Sequence, residues 1–160
     1  MSLLSFARSK IVGVERPEQD SLLAHGILDD NIYSLELDVE VKLPRFEITR
    51  VEGRWKRYTT VECPRALAKL ENALGLCIVD KDFGRKIRQV VGREGCTHFA
   101  NLLLECCDAI KHAAIYGEWA ESQGKGFVEA KRQYCRSKFE TVPGLRNSCI
   151  VYSKMNKENF

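Results

Sequence analysis

An α+β fold, with an antiparallel β-meander of about four strands and helices packed on one of its faces, follows from three observations. Leu35, Leu37, Val39, Val41 and Leu43 alternate with Glu36, Asp38, Glu40 and Lys42, and period two sends one set to each face of a sheet. The pattern changes at Cys63-Pro64, beyond which Leu67, Leu70 and Leu74 recur at helical spacing. A long apolar stripe then runs through Phe99, Leu102, Leu103, Cys106, Ile110 and Ala113. Helices gathered on one side of a meander bury the leucines and valines of the central strand economically. The opposite sheet face is left wet, or serves as a partner surface.

The strands follow in order. Lys10 to Glu15 reads as a first strand, Arg16-Pro17-Glu18-Gln19-Asp20 as a turn, and Ser21 to Leu28 as the return strand, because proline presets a dihedral that turns use. His25 within it reads as a structural or surface histidine. Asp29-Asp30-Asn31 supplies turn chemistry before the alternating strand, which Pro44 interrupts or ends. Phe46, Ile48 and Val51 resume the alternation up to Glu52-Gly53, with Trp55 and Tyr58 as aromatic cover beyond.

In the helical half, Pro64 suits a first helical turn and Gly75 a C-terminal cap. Leu76 to Val79 is an apolar connector. Asp82 is placed to cap a short helix from Phe83 to about Val91, ended near Gly92, and the long helix spans Thr97 to about Ser122. Its polar stripe of His98, Asn101, Glu105, Asp108 and His112 is solvated, although Asp108 and His112 one turn apart have metal-ligand spacing. Gly124-Lys125-Gly126 breaks the helix, Phe127 to about Glu140 reads as another, and Pro143-Gly144 as a turn. Ser148 to Tyr152 is a short strand or an extended segment, and Asn156 to Phe160 a frayed end. Residues 8–122 thus form one α+β domain, and residues 123–160 a basic helix and tail packed on it.

The totals bound the function. At 160 residues and 44% apolar content, a core needs no disulfide or metal staple. No apolar run approaches the roughly 18 residues that span a bilayer, and Met1 to Lys10 lacks a secretory layout, so a cytoplasmic protein without a membrane partner is expected. Seven cysteines, without C-x-x-C spacing, read as reduced thiols. A net charge of +3 with interleaved signs does not point to nucleic acid. Only the C-terminal part leans basic: from Glu118 onward Lys125, Lys131, Arg132, Arg136, Lys138, Arg146, Lys154 and Lys157 outnumber five glutamates.

Three features exceed packing: Cys63 before a proline at a helix start, Cys96 two residues before His98 in Gly92-Arg93-Glu94-Gly95-Cys96-Thr97-His98, and Cys149 near the end. A helix N-terminus carries about half a positive charge and unpaired N–H groups, which favour a thiolate, and Arg93 adds to that. Thiolate and imidazole are ligands for zinc and iron, and such a thiolate can also carry sulfur. The spacing matches no local zinc signature, and the alternative is a structural role for these cysteines. A Cys/His hydrolase is disfavoured, because side chains two residues apart at a helix start point in different directions. Cys106 and Cys107 read as core thiols. No Walker loop, Rossmann fingerprint or serine elbow occurs.

Gly26-Ile27-Leu28-Asp29-Asp30, Cys63-Pro64, Leu74-Gly75-Leu76, Gly92-Arg93 and Gly95-Cys96-Thr97-His98 resemble the bacterial family of unknown function numbered 2889, over about Arg8 to Ala114. Cys149 belongs to the same pattern. More distantly, the order of features is similar to the NifU-type iron–sulfur scaffold proteins: strands, a cysteine opening a helix, a glycine ending it, and a cysteine opening a long helix. That resemblance implies a NifU-like scaffold fold, with Cys63 and Cys96 on two of three cysteine ligands. Asp29-Asp30-Asn31 stands where the scaffold has its third cysteine, and Gly95 where it has a histidine, with His98 displaced past it. The implied ligand set is Cys63 and Cys96 with Asp29 or Asp30 and His98.

Two functions follow. One is an accessory protein that binds zinc, iron or a sulfur species at Cys63, Cys96 and His98 and serves a protein partner, without being an enzyme itself. The other is a non-catalytic interaction domain whose cysteines only pack.

Overall fold

A computed structural model describes residues 5–121, 136, 137, 139 and 147–153, with the side chains of 115–121, 151 and 152 left aside. Strands β1 (Arg8–Glu18), β2 (Ser21–Asp30), β3 (Ser34–Lys42) and β4 (Glu47–Arg57) form one antiparallel sheet in the order β1-β2-β3-β4. A 3₁₀ segment (Cys63–Ala73), helix α1 (Phe83–Ile87), a π-helical turn (Arg88–Arg93) and helix α2 (Thr97–Glu121) follow. This is the α+β meander that the periodicities predict. No helix among the described residues is long and apolar enough to cross a membrane.

The alternation in β3 divides the molecule. Leu35, Leu37, Val39 and Val41 are fully buried, and they join Leu22, Ala24, Leu28 and Ile48 against Phe99, Leu102, Leu103, Cys106 and Ile110 of α2. Two glycines let the helical layer lie close. A Cβ at Gly26 would stand 2.6 Å from the Cys106 sulfur, and one at Gly53 would stand 2.5 Å from Leu70 and 2.8 Å from Phe99. Cys106 and Cys107 are core thiols, and burial pushes the Cys106 thiol up to about 12.

The outer face is wet and ion-paired. Arg54 reaches Glu36 and Asp38, Arg50 reaches Glu40 and Glu52, and His25 lies between Asp38 at 2.8 Å and Glu15 at 3.3 Å. His25 is therefore a surface histidine tying β1, β2 and β3, and hydrogen bonds to Asp38 and Glu15 raise its pKa.

Several expectations need correction. β1 continues through Arg16 and Pro17 to Glu18 with an irregular register, and the turn shrinks to Gln19-Asp20. Proline is tolerated there because β1 is an edge strand and needs no outward N–H bond. β4 does not stop at Glu52-Gly53 but runs on through Trp55, since Gly53 is a low point beneath the helices rather than a break. Residues 63–73 wind as a 3₁₀ helix, so Leu67, Leu70 and Ala73 at spacing three turn inward and Leu74 is exposed. Gly75 follows the cap with φ +76°, as its reading as a terminator expects. Asp82 makes no side-chain cap; its carboxylate pairs with Arg85, and the predicted Phe83–Val91 helix turns π-helical at Arg88.

The connector after Gly75 covers the sheet edge. Ile48 donates to the Leu76 carbonyl, and Gly75 and Ile78 donate to Ile48 and Phe46, which satisfies backbone groups that an edge strand leaves open. Near the end of the chain, Ile150–Ser153 is one helical turn (α3), not a strand or extended segment. Arg136, Ser137 and Phe139 are helical. The rest of the tail, including its packing on the domain and its frayed end, lies outside the described residues.

Candidate functional site

One end of the sheet, where β2 and β4 end and β3 begins, gathers most of the residues singled out above. The β2–β3 turn is built on Asp30, only 5% exposed. Its Oδ1 accepts the N–H groups of Ile32 and Tyr33, both at 2.7 Å, and its Oδ2 accepts Arg8 Nε at 2.8 Å. Burial alone would raise this carboxyl's pKa. The Tyr33 and Ile32 amides together with Arg8 more than offset it, and hold the group at about 2. Asp29 faces outward and pairs with Arg57 at 2.8 Å, and Arg57 also donates to the Asp30 carbonyl.

That turn projects Tyr33, whose ring centroid lies 4.2 Å from that of His98. Trp55 stands beyond it, 6.1 Å from Tyr33, and packs edge-on against Phe99 at 4.9 Å. Trp55 Nε1 donates to the Cys63 carbonyl at 2.9 Å. The Cys63 sulfur sits 3.4 Å from Thr60 Oγ1, and that hydrogen bond, working against burial, lowers the thiol's pKa.

Cys96 is delivered differently. Glu94 N bonds to Gln89 O and Cys96 N to Val91 O at 2.8 Å, so five-residue spacing carries the π turn directly to the start of α2. The Cys96 carbonyl then accepts Ala100 N, the first helical bond of α2. A Cβ at Gly95 would lie 2.8 Å from Val91 O and 2.8 Å from Lys69 Cβ, so the backbone next to the thiol is pressed against both neighbours.

The Cys96 sulfur lies 3.8 Å from His98 Nδ1. This corrects the expectation that the two side chains diverge: a thiol placed just before the helix and an imidazole in its first turn can fold toward each other. Burial lowers the pKa of His98, and the Arg8 cation lowers it further against the opposing charge of Asp30. The imidazole is consequently neutral at pH 7 and can accept a proton.

Asp30, His98 and Cys96 are thus linked through Arg8 and Tyr33, whereas Cys63 meets this group only by its backbone carbonyl, through Trp55, and its sulfur is not brought to theirs. Cys149 is exposed, and it joins no ligand-like group among the described residues. Asp108 is shared between Lys111 at 2.9 Å and His112 at 3.5 Å on the exposed face of α2. Among the described residues no three His, Cys, Asp or Glu side chains gather as a ligand set for a metal ion. Arg8, Tyr33 and Thr60 are the site residues that sequence reasoning misses. Only the position of Tyr33 directly behind the Asp29-Asp30 turn carries a usable signal.

The chain belongs to the DUF2889 family, proteins of unknown function, whose sequence model matches residues 18–111. The match takes in Asp29, Asp30, Cys63, Cys96 and His98, and leaves Arg8 and Cys149 outside. No curated protein and no solved structure matches the chain.

Proposed function

We propose that this member of the family is a small cytoplasmic accessory protein that holds a sulfur or metal species at Cys96 and His98 and passes it to a protein partner. The observation that carries the reading is the 3.8 Å approach of the Cys96 sulfur to a neutral imidazole at the start of α2. Such a pair suits transfer of one sulfur atom. The Cys96 sulfur attacks the outer sulfur of a donor persulfide as its proton passes to His98 Nδ1. The donor S–S bond breaks, and the donor leaves as a thiolate with the electron pair.

Zinc or iron would find the same two donors, while the Cys63 sulfur is engaged by Thr60 and does not join them. The cluster ligand set implied by the scaffold resemblance fits less well, because Asp30 is committed to Arg8 and two amides and Asp29 to Arg57. A metal here completes its shell from a partner, whereas a carried sulfur needs only the thiol and its base.

The alternative is an interaction domain with packing cysteines. It is favoured by exposed Phe6, Ile32, Tyr58 and Val61, the last 81% exposed, which adjoin Arg8, Tyr33, Trp55 and Thr60 along the chain or by ring contact. Both readings are tested by metal analysis and intact-mass measurement after treatment with glutathione persulfide. Wild type is expected to gain metal or one sulfur atom, and Cys96→Ser neither. Full content in Cys96→Ser contradicts the accessory reading, and no content in either protein leaves the interaction domain.

A further inference from the structure

We infer that the groove along α1 and the π turn is a binding site for a small phosphorylated anion. It has a volume of about 510 Å³ and is lined by Arg85, Lys86, Arg88, Gln89, Val90 and Arg93. All four cations are exposed. Asp82 and Asp80 engage Arg85 at 3.2 Å and Lys86 at 3.7 Å. Arg88 gives one N–H to the Gly84 carbonyl at 3.3 Å, and neither Arg88 nor Arg93 meets a carboxylate among the described residues. The sheet arginines differ in this respect, since Arg50, Arg54 and Arg57 each sit on one.

The backbone accounts for the cluster. In a regular α-helix Arg88 and Arg93 would lie about 140° apart around the axis. The wider π turn narrows that separation, and both guanidinium groups border one groove. Two planar forks, a lysine and the Gln89 amide form a donor set that matches phosphate oxygens. The aliphatic stems and Val90 supply a floor. The groove has the dimensions of a small-molecule site and is confined to one segment, unlike the extended basic track that follows a nucleic-acid backbone. A di- or triphosphate group is the fitting class, whether free or as part of a nucleotide.

The test is calorimetric titration of the full chain with tripolyphosphate, adenosine triphosphate and a single-stranded oligonucleotide. Saturable binding of tripolyphosphate or of the nucleotide is expected, weakened about tenfold or more by the double substitution Arg88→Ala/Arg93→Ala. Arg50→Ala on the outer sheet face is expected to leave it unchanged. Tripolyphosphate binding as tightly as the nucleotide identifies the phosphate chain itself as the ligand, and tighter nucleotide binding identifies the nucleotide. Arg88→Gln, which keeps a donor for Gly84, carries the test if the double variant fails to fold. Absence of saturable binding, equal weakening by Arg50→Ala, or tighter arginine-dependent binding of the oligonucleotide would overturn the inference.

Discussion

Cys63 and Cys96 occupy equivalent places in the sequence, each at the opening of a helical segment, yet the fold gives them different neighbours. Cys63 leads a 3₁₀ segment, and its sulfur shares a hydrogen bond with the Thr60 hydroxyl. Cys96 comes off a π turn, is held by the Val91 carbonyl, and faces an imidazole. A helix start therefore does not by itself define a thiol's chemistry; the side chain within reach of the sulfur does.

The comparison breaks most readily at Gly95. A Cβ there collides with Val91 O, the acceptor that fixes Cys96 N, and with Lys69. Gly95→Ala is expected to cost about 3 kcal/mol in urea unfolding and to alter Cys96 alkylation while leaving Cys63 alkylation unchanged.

Asp30 comes next. Its carboxylate satisfies two amides and Arg8, and a pKa drawn from 3.8 to about 2 corresponds to about 2 kcal/mol. Because the folded value is depressed, that stability is present above about pH 4 and is lost as pH falls through about 2. Asp30→Ala is expected to lower stability by a similar amount at pH 7 and to flatten the acid limb of the denaturation curve.

Two histidines sharpen the contrast between the wet face and the site, with smaller effects of opposite sign. The His25 pKa is raised by Asp38 and Glu15, so its contribution holds below 6.5 and fades as pH rises through the folded value. The His98 pKa is lowered by burial and Arg8, so protonating it costs stability as pH falls below 6.5. Melting temperatures across pH for His25→Gln and His98→Gln are expected to lose the alkaline decline and the decline below 6.5, respectively. Identical profiles would contradict this assignment.

The fold was legible wherever one periodicity dominated. The alternation of β3 and the stripe from Phe99 to Ile110 predict both faces of the core, and the structure buries them. Legibility failed where two geometries share a spacing. Leu67 and Leu70 fit a period of 3 as well as 3.6, so only packing separates a 3₁₀ from an α-helix. Gly53 reads as a terminator until the helix above it is known. Ile150 and Val151 suggest a strand but form one helical turn. At the site, residue types and helix starts point to Cys63, Cys96 and His98, while Arg8 is 22 positions from Asp30 and carries no local signal.

The most direct test of the account measures iodoacetamide alkylation of each thiol by peptide mapping at pH 7, in wild type, His98→Gln and Thr60→Val. If Cys96 works with His98, His98→Gln slows Cys96 several-fold and leaves Cys63 unchanged, while Thr60→Val, by returning the Cys63 pKa toward its ordinary value, slows only Cys63. Unchanged Cys96 reactivity in His98→Gln would contradict the account.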